Sequence, residues 1–229
     1  YMFIFMYGTM VMRGVIEEKT SRIVEVIISS VKPFQLMMGK IFGVALVGLT
    51  QFFLWILLTI IVSSFAELLF LSGSMNSEIT NNENSIIISQ LLNITGGINL
   101  TQIFLSFIFY FLAGYLMYSS LFAAVGSAVD AEADTQQFIL PITIPLILSF
   151  ILIQPIMDNP DGVLAFWMSI IPFTSPVIMM VRLPFGVENW ELILSMIILI
   201  STFIATTWLA GRIYRIGILM YGKKSSYKE

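Results

Sequence analysis

Long apolar runs without an ionisable side chain constrain this chain more than any other feature. Residues 41–66 form one of 26 positions, 135–157 one of 23, and 162–181 and 192–211 runs of 20 each. A helix rises 1.5 Å per residue, so about 20 apolar residues cross a hydrocarbon core of about 30 Å. The run 84–129 opens on a polar stretch with Asn93, Thr95, Gly96, Gly97 and Asn99, so its membrane part reads as about 102–125. Lipid offers backbone groups no partner, which leaves helices as the spanning structure for such runs. Charged residues make up 11% of the chain, against roughly 25% in soluble domains. The expected fold class is an all-α, polytopic membrane helical bundle forming a single domain over residues 1–229.

The first uncharged run, residues 1–12, is too short to cross: 12 residues of helix reach about 18 Å. It reads as the inner half of a helix that begins outside this sequence, in a longer protein. That gives one partial and four complete transmembrane helices. The run 162–181 holds Pro172 and Pro176 and reads as a re-entrant helical hairpin. With 13–40 inside and that hairpin returning to its own side, ten of the eleven basic residues fall inside, leaving only Arg182 outside. Basic residues concentrate on the cytoplasmic side of membrane proteins. The C-terminus is therefore expected in the cytoplasm of a multi-pass plasma-membrane protein, with 67–99 as an outer polar loop.

The segment 13–40, RGVIEEKTSRIVEVIISSVKPFQLMMGK, carries five basic residues between two apolar blocks. Ile16, Ile23, Val24, Ile27 and Val31 fall near a 3.6-residue period, and Glu18 and Arg22 stand at i and i+4 in the favourable acid-first order. A short helix along the membrane surface is expected over 17–25, with Glu17, Glu18, Lys19, Ser21, Arg22 and Glu25 on its polar face. Such a face either docks a cytoplasmic partner or is simply solvated. A mere connector needs only a few residues, which favours docking. Asp130, Glu132 and Asp134 form a second, acidic cytoplasmic turn. Pro33 can open a helix leading into the next span. Gly39 and Gly43, and Ser119, Ala123 and Ser127, have the spacing of close helix packing, as do Ser120, Ala124 and Ala128.

Several classes are excluded by what the sequence lacks. There is no Cys and no His, hence no thiolate nucleophile, no Cys-based metal site and no imidazole base. The sequence contains no HExxH, GxSxG or GxxxxGK[ST] run. Glu17 and Glu18 point about 100° apart on a helix, a poor arrangement for paired carboxylates. Basic and aromatic residues are not clustered as nucleic-acid binding requires. No ionisable residue stands at mid-depth in a span, which argues against a carboxylate-relay secondary transporter. The chain is expected to be non-enzymatic and free of cofactor and metal. The rivals at this level are a transporter subunit, a non-transport assembly or sensory subunit, and a secondary transporter.

The run EEKTSRIVEVIISSVKPFQLMMGKIFG resembles the signature of type-2 ABC exporter permeases, at Glu17–Arg22, Glu25, Ser29, Ser30, Pro33, Leu36, Gly39 and Lys40. Pro172, Phe173, Thr174, Ser175 and Pro176, followed by Met179, Met180 and Arg182, resemble the re-entrant helices before the family's last span. The ending GRIYRIGILMYG is similar as well. The subgroup it looks most like is the NatB-like sodium-efflux permeases. The resemblance implies a coupling helix at 17–25 and a preceding span and extracellular domain beyond this chain. It further implies a dimer of permease halves, homo- or heteromeric, and a separate ATPase subunit that holds ATP and Mg. Energy then comes from the partner, and cargo, sodium or a lipophilic compound, moves outward.

Overall fold

The computed structural model describes residues 1–21, 30–73, 100–129 and 131–219. Among these residues every regular element is helical. The helices are α1 (Met2–Thr20), α2 (Pro33–Gly73), α3 (Leu100–Ala128), α4 (Gln136–Ile151), α5 (Ile153–Asp158), α6 (Val163–Ile170), α7 (Ser175–Arg182) and α8 (Asn189–Leu219). Two short 3₁₀ turns, Glu132–Thr135 and Leu183–Phe185, precede α4 and follow α7. Among the described residues, four helices are long and apolar enough to cross a membrane, within Pro33–Ala66, Thr101–Ala128, Glu132–Ile151 and Asn189–Gly217.

The bundle is organised around α3. Its span is 61% buried, against 6% for α2 and 22% for α8. Small side chains explain the difference. Ser119, Ser120, Ala123, Ala124 and Ser127 are buried in α3, and Gly114 and Gly126 remove Cβ atoms where neighbours come closest. A Cβ on Gly126 would stand 2.7 Å from the Met12 carbonyl oxygen of α1, and one on Gly217 of α8 would stand 2.3 Å from that of Ser127. Both α1 and α8 therefore approach α3 backbone to backbone, the form of association open to helices in lipid. Away from these contacts, rings fill the gap between α1, α2 and α3. Phe52 stacks on Phe107 at 5.0 Å and on Phe111 at 6.0 Å, with Phe3 edge-on to Phe52 and Phe111. The Tyr7 hydroxyl donates to Gln51 Oε1, so Gln51 joins α1 to α2.

Three expectations change here. First, α1 does not stop before the charged segment. It runs 19 residues, about 28 Å, and carries Glu17, Glu18 and Lys19 in its last turn. A separate surface helix does not begin at Glu17, because Val15 and Ile16 are buried and keep α1 packed on the bundle. Second, α2 reaches Gly73, so the outer loop starts after residue 73 rather than at 67. Third, the run 135–157 is divided into α4 and α5 at Leu152. Pro141 and Pro145 lie within α4, where each ring removes a backbone donor, and Ser149 Oγ donates to the Pro145 carbonyl at 2.7 Å.

The run 162–181 folds as two eight-residue helices, α6 and α7, joined by a turn at 171–174. Pro172 stands in the turn, and Pro176 lies in the first turn of α7, where a missing N–H costs little. Pro176 packs on Gly114, whose added Cβ would stand 2.8 Å from its ring. Gly114 is the central residue of the 29-residue α3, so the turn reaches half-way along a spanning helix. Non-helical backbone at that depth must be covered by protein. The Met168 carbonyl accepts from Thr174 Oγ1 at 2.5 Å, and Ile171 from Ser175 N–H at 2.8 Å. Phe173 accepts from the Tyr118 hydroxyl of α3 at 2.6 Å. Both arms of the hairpin return to one end, because Arg182 Nε donates to the Pro160 carbonyl at 2.8 Å.

Candidate functional site

The end of the bundle where α1 and α3 terminate carries the sequence-predicted docking residues. Consecutive side chains on α1 point about 100° apart, so each of its last charged residues meets a different neighbour. Glu17 is exposed. Glu18 is half-buried, and its Oε2 lies 2.7 Å from Lys40 Nζ on α2. Lys19 is only 4% exposed. Its Nζ donates to the carbonyls of Ser127 and Val129, both at 3.0 Å. Thr20 and Ser21 turn their hydroxyls back onto α1 carbonyls, and Ser21 closes the helix. Arg22 and Glu25 lie outside the described residues.

Lys19 is therefore not part of an outward face. It continues the buried stripe Ile4, Gly8, Val11 and Val15, spaced three or four apart. Its ammonium meets the C-terminal carbonyls of α3, which have no intrahelical donor and carry the negative end of the helix dipole.

The acidic turn lies beside the same end. Arg13 Nε pairs with Glu132 Oε1 at 2.8 Å, with both side chains well exposed. An exposed pair of this kind contributes about 0–1 kcal/mol, so it marks proximity more than strength. Asp134 is exposed on the 3₁₀ turn, and Asp130 lies outside the described residues.

The packing residues divide. Ser119 and Ala123 are fully buried within α3. Gly39 and Gly43 are exposed, and a Cβ at either would meet no atom within 4 Å. The expected seam on α2 is thus open within this chain. The close approaches fall instead at Gly8, Gly114, Gly126, Gly211 and Gly217. A paired-glycine pattern on one helix cannot reveal these, because each depends on the partner opposite.

At the other end of the bundle, Arg182 is buried beneath the hairpin. Nη1 donates to Glu191 Oε2 at 2.8 Å and to Ser169 Oγ at 2.6 Å. Ser195 Oγ of α8 donates to the Ser169 carbonyl at 2.6 Å. The sequence marked Arg182 as the one basic residue outside and as part of the re-entrant motif, but not its partner. Its partner sits nine residues on, across a helix break, where periodicity carries no signal. Among the described residues no group of acidic side chains is arranged to hold a metal.

Comparison with known proteins fits this architecture. YhaP of Bacillus subtilis, described as uncharacterized, is 32% identical over all of this chain and 51% of its own length. MJ1024 of Methanocaldococcus jannaschii, also uncharacterized, is 28% identical over all of this chain and 50% of its own length. The chain thus spans about half the length of these curated relatives. No solved structure matches. The family described as ABC-2 family transporter protein matches residues 1–212. A helical bundle with spanning helices, matched over nearly its whole length, belongs to the ABC-2 family of transporter membrane proteins.

Proposed function

We propose that this chain is the membrane-spanning subunit of an ATP-driven exporter, energised by a separate ATPase subunit. Membership of the ABC-2 family over residues 1–212 is the observation that carries this reading. The ATPase docks on the segment that follows α1. Glu17 and Ser21 are exposed there, next to the 22–29 part of the signature run. Glu132 and Asp134 flank this surface as a lesser contact. Nucleotide-driven closure of the ATPase pair rocks the helices between inward- and outward-facing states, a shift between two packed arrangements. Cargo passes between two permease halves. Resemblance to the sodium-efflux subgroup makes sodium the first cargo to test, with lipophilic compounds second. The C-terminus lies in the cytoplasm and the hairpin opens to the outside.

The test is association. The full-length protein, purified in mild detergent, retains a phosphate-loop ATPase, and Glu17→Arg loses it while the fold is kept. Glu17 is exposed, so the substitution reverses a surface charge without opening a packed contact. Equal ATPase recovery from native and variant protein at moderate salt refutes docking through this face. An assembly or sensory subunit would bind the same ATPase without changing its turnover, so hydrolysis is measured on the recovered complex.

A further inference from the structure

We propose that Lys19 is a positioning residue that makes α1 and α3 move as one body at the end where the ATPase docks. This deepens the exporter reading and rests on it for the source of the motion. Three helices meet around one carbonyl. The Ser127 oxygen of α3 accepts from Lys19 of α1 at 3.0 Å, and the backbone of α8 presses on it at Gly217, where a Cβ would stand 2.3 Å away. Val129 takes a second bond from the same ammonium at 3.0 Å. One residue earlier, Glu18 reaches α2 through Lys40 at 2.7 Å. Two adjacent side chains thus tie α1 to two other helices, directly before the docking segment.

Burial gives the tie its stiffness. Lys19 is 4% exposed, so water is poorly placed to replace the two carbonyls if the helices part. Charge-assisted bonds are also stronger than neutral ones. A push on the segment after Ser21 therefore reaches the centre of the bundle through α3, which also carries the hairpin turn at Gly114. A flexible joint at Thr20–Ser21 would dissipate the same push.

The experiment uses the full-length protein with its bound ATPase in lipid nanodiscs. Spin labels are placed on cysteines at Thr20 and Ala131, both exposed and neither assigned to the docking face, in a chain that has no native Cys. ATPase association is confirmed on the labelled native protein before the distances are read. In native protein the label distance stays constant with and without ATP. In Lys19→Met the distance changes with nucleotide, ATPase association persists, and permease-dependent stimulation of hydrolysis falls about fivefold or more, the lower range of ordinary coupling between sites. Lys19→Arg restores both, since a longer cation still reaches the carbonyls. If Lys19→Met loses the ATPase, Lys19 belongs to the docking face and the tie is refuted. Unaltered distances and stimulation in Lys19→Met refute it equally. Absence of ATPase from native protein refutes the exporter reading instead, and the distance distribution of Lys19→Met against native protein, without nucleotide, then decides the tie alone.

Discussion

At the scale of single residues, two helix glycines have opposite roles. Gly217 leaves no room for a Cβ, because the atom it would strike is a backbone oxygen that cannot move aside. Gly39 faces open space. Gly217→Ala is therefore expected to destabilise by about 1–3 kcal/mol, the usual cost of overpacking. Gly39→Ala is expected to stabilise by up to about 1 kcal/mol, since alanine is the better helix former. Thermal unfolding in a fixed detergent compares them, and equal effects would mean that the α3–α8 contact is looser than described. Lys19 gives the complementary lesson. It sits in phase with Ile4, Gly8, Val11 and Val15, so the apolar stripe already pointed to its burial. The charge masked that signal, because a cation on a helix is ordinarily assigned to the polar face. What no periodicity could supply was its partner, the end of a helix more than 100 residues away.

At the scale of elements, the spans and the hairpin were legible because each depends on local chemistry. Apolar length sets the four crossings, and two prolines in one run break it into α6 and α7. Helix ends were less legible. The extension of α1 to Thr20 goes with burial of Val15, Ile16 and Lys19, which charge patterns do not encode, and α2 continues to Gly73, past the charge at Glu67 that ends its apolar run. The hairpin turn is held by Tyr118 and seated on Gly114, both of α3, so its depth is set by another helix. Changing Pro172 and Pro176 together to Leu creates a continuous apolar run of 20 residues, 162–181, long enough to cross. The expected outcome is partial transfer of the C-terminal tail to the opposite side and loss of export. A reporter fused after Glu229, assayed from each side, checks this. An unmoved tail with normal export would leave the break without a role.

At the scale of the whole molecule, exposure is unevenly distributed. The bundle centres on α3, while Leu46, Leu54, Leu57, Ile60 and Phe65 of α2 face outward with Gly39 and Gly43. Sidedness is testable because the chain has no native Cys. Asp161 and Ala131 are both exposed, beyond opposite ends of α4 and α5. Cysteine at Asp161 should react with an impermeant thiol reagent from outside, and cysteine at Ala131 only after the membrane is opened. Labelling of both from one side would remove a crossing from the architecture. The hairpin's anchorage also has a consequence for biosynthesis. Arg182 emerges from the ribosome before Glu191, and the Ser169 carbonyl before the Ser195 hydroxyl that caps it. Translation adds about 5–20 residues per second. For that interval the nascent hairpin carries an arginine whose carboxylate has not yet been made, so it cannot settle to its final depth until the start of α8 follows it into the bilayer.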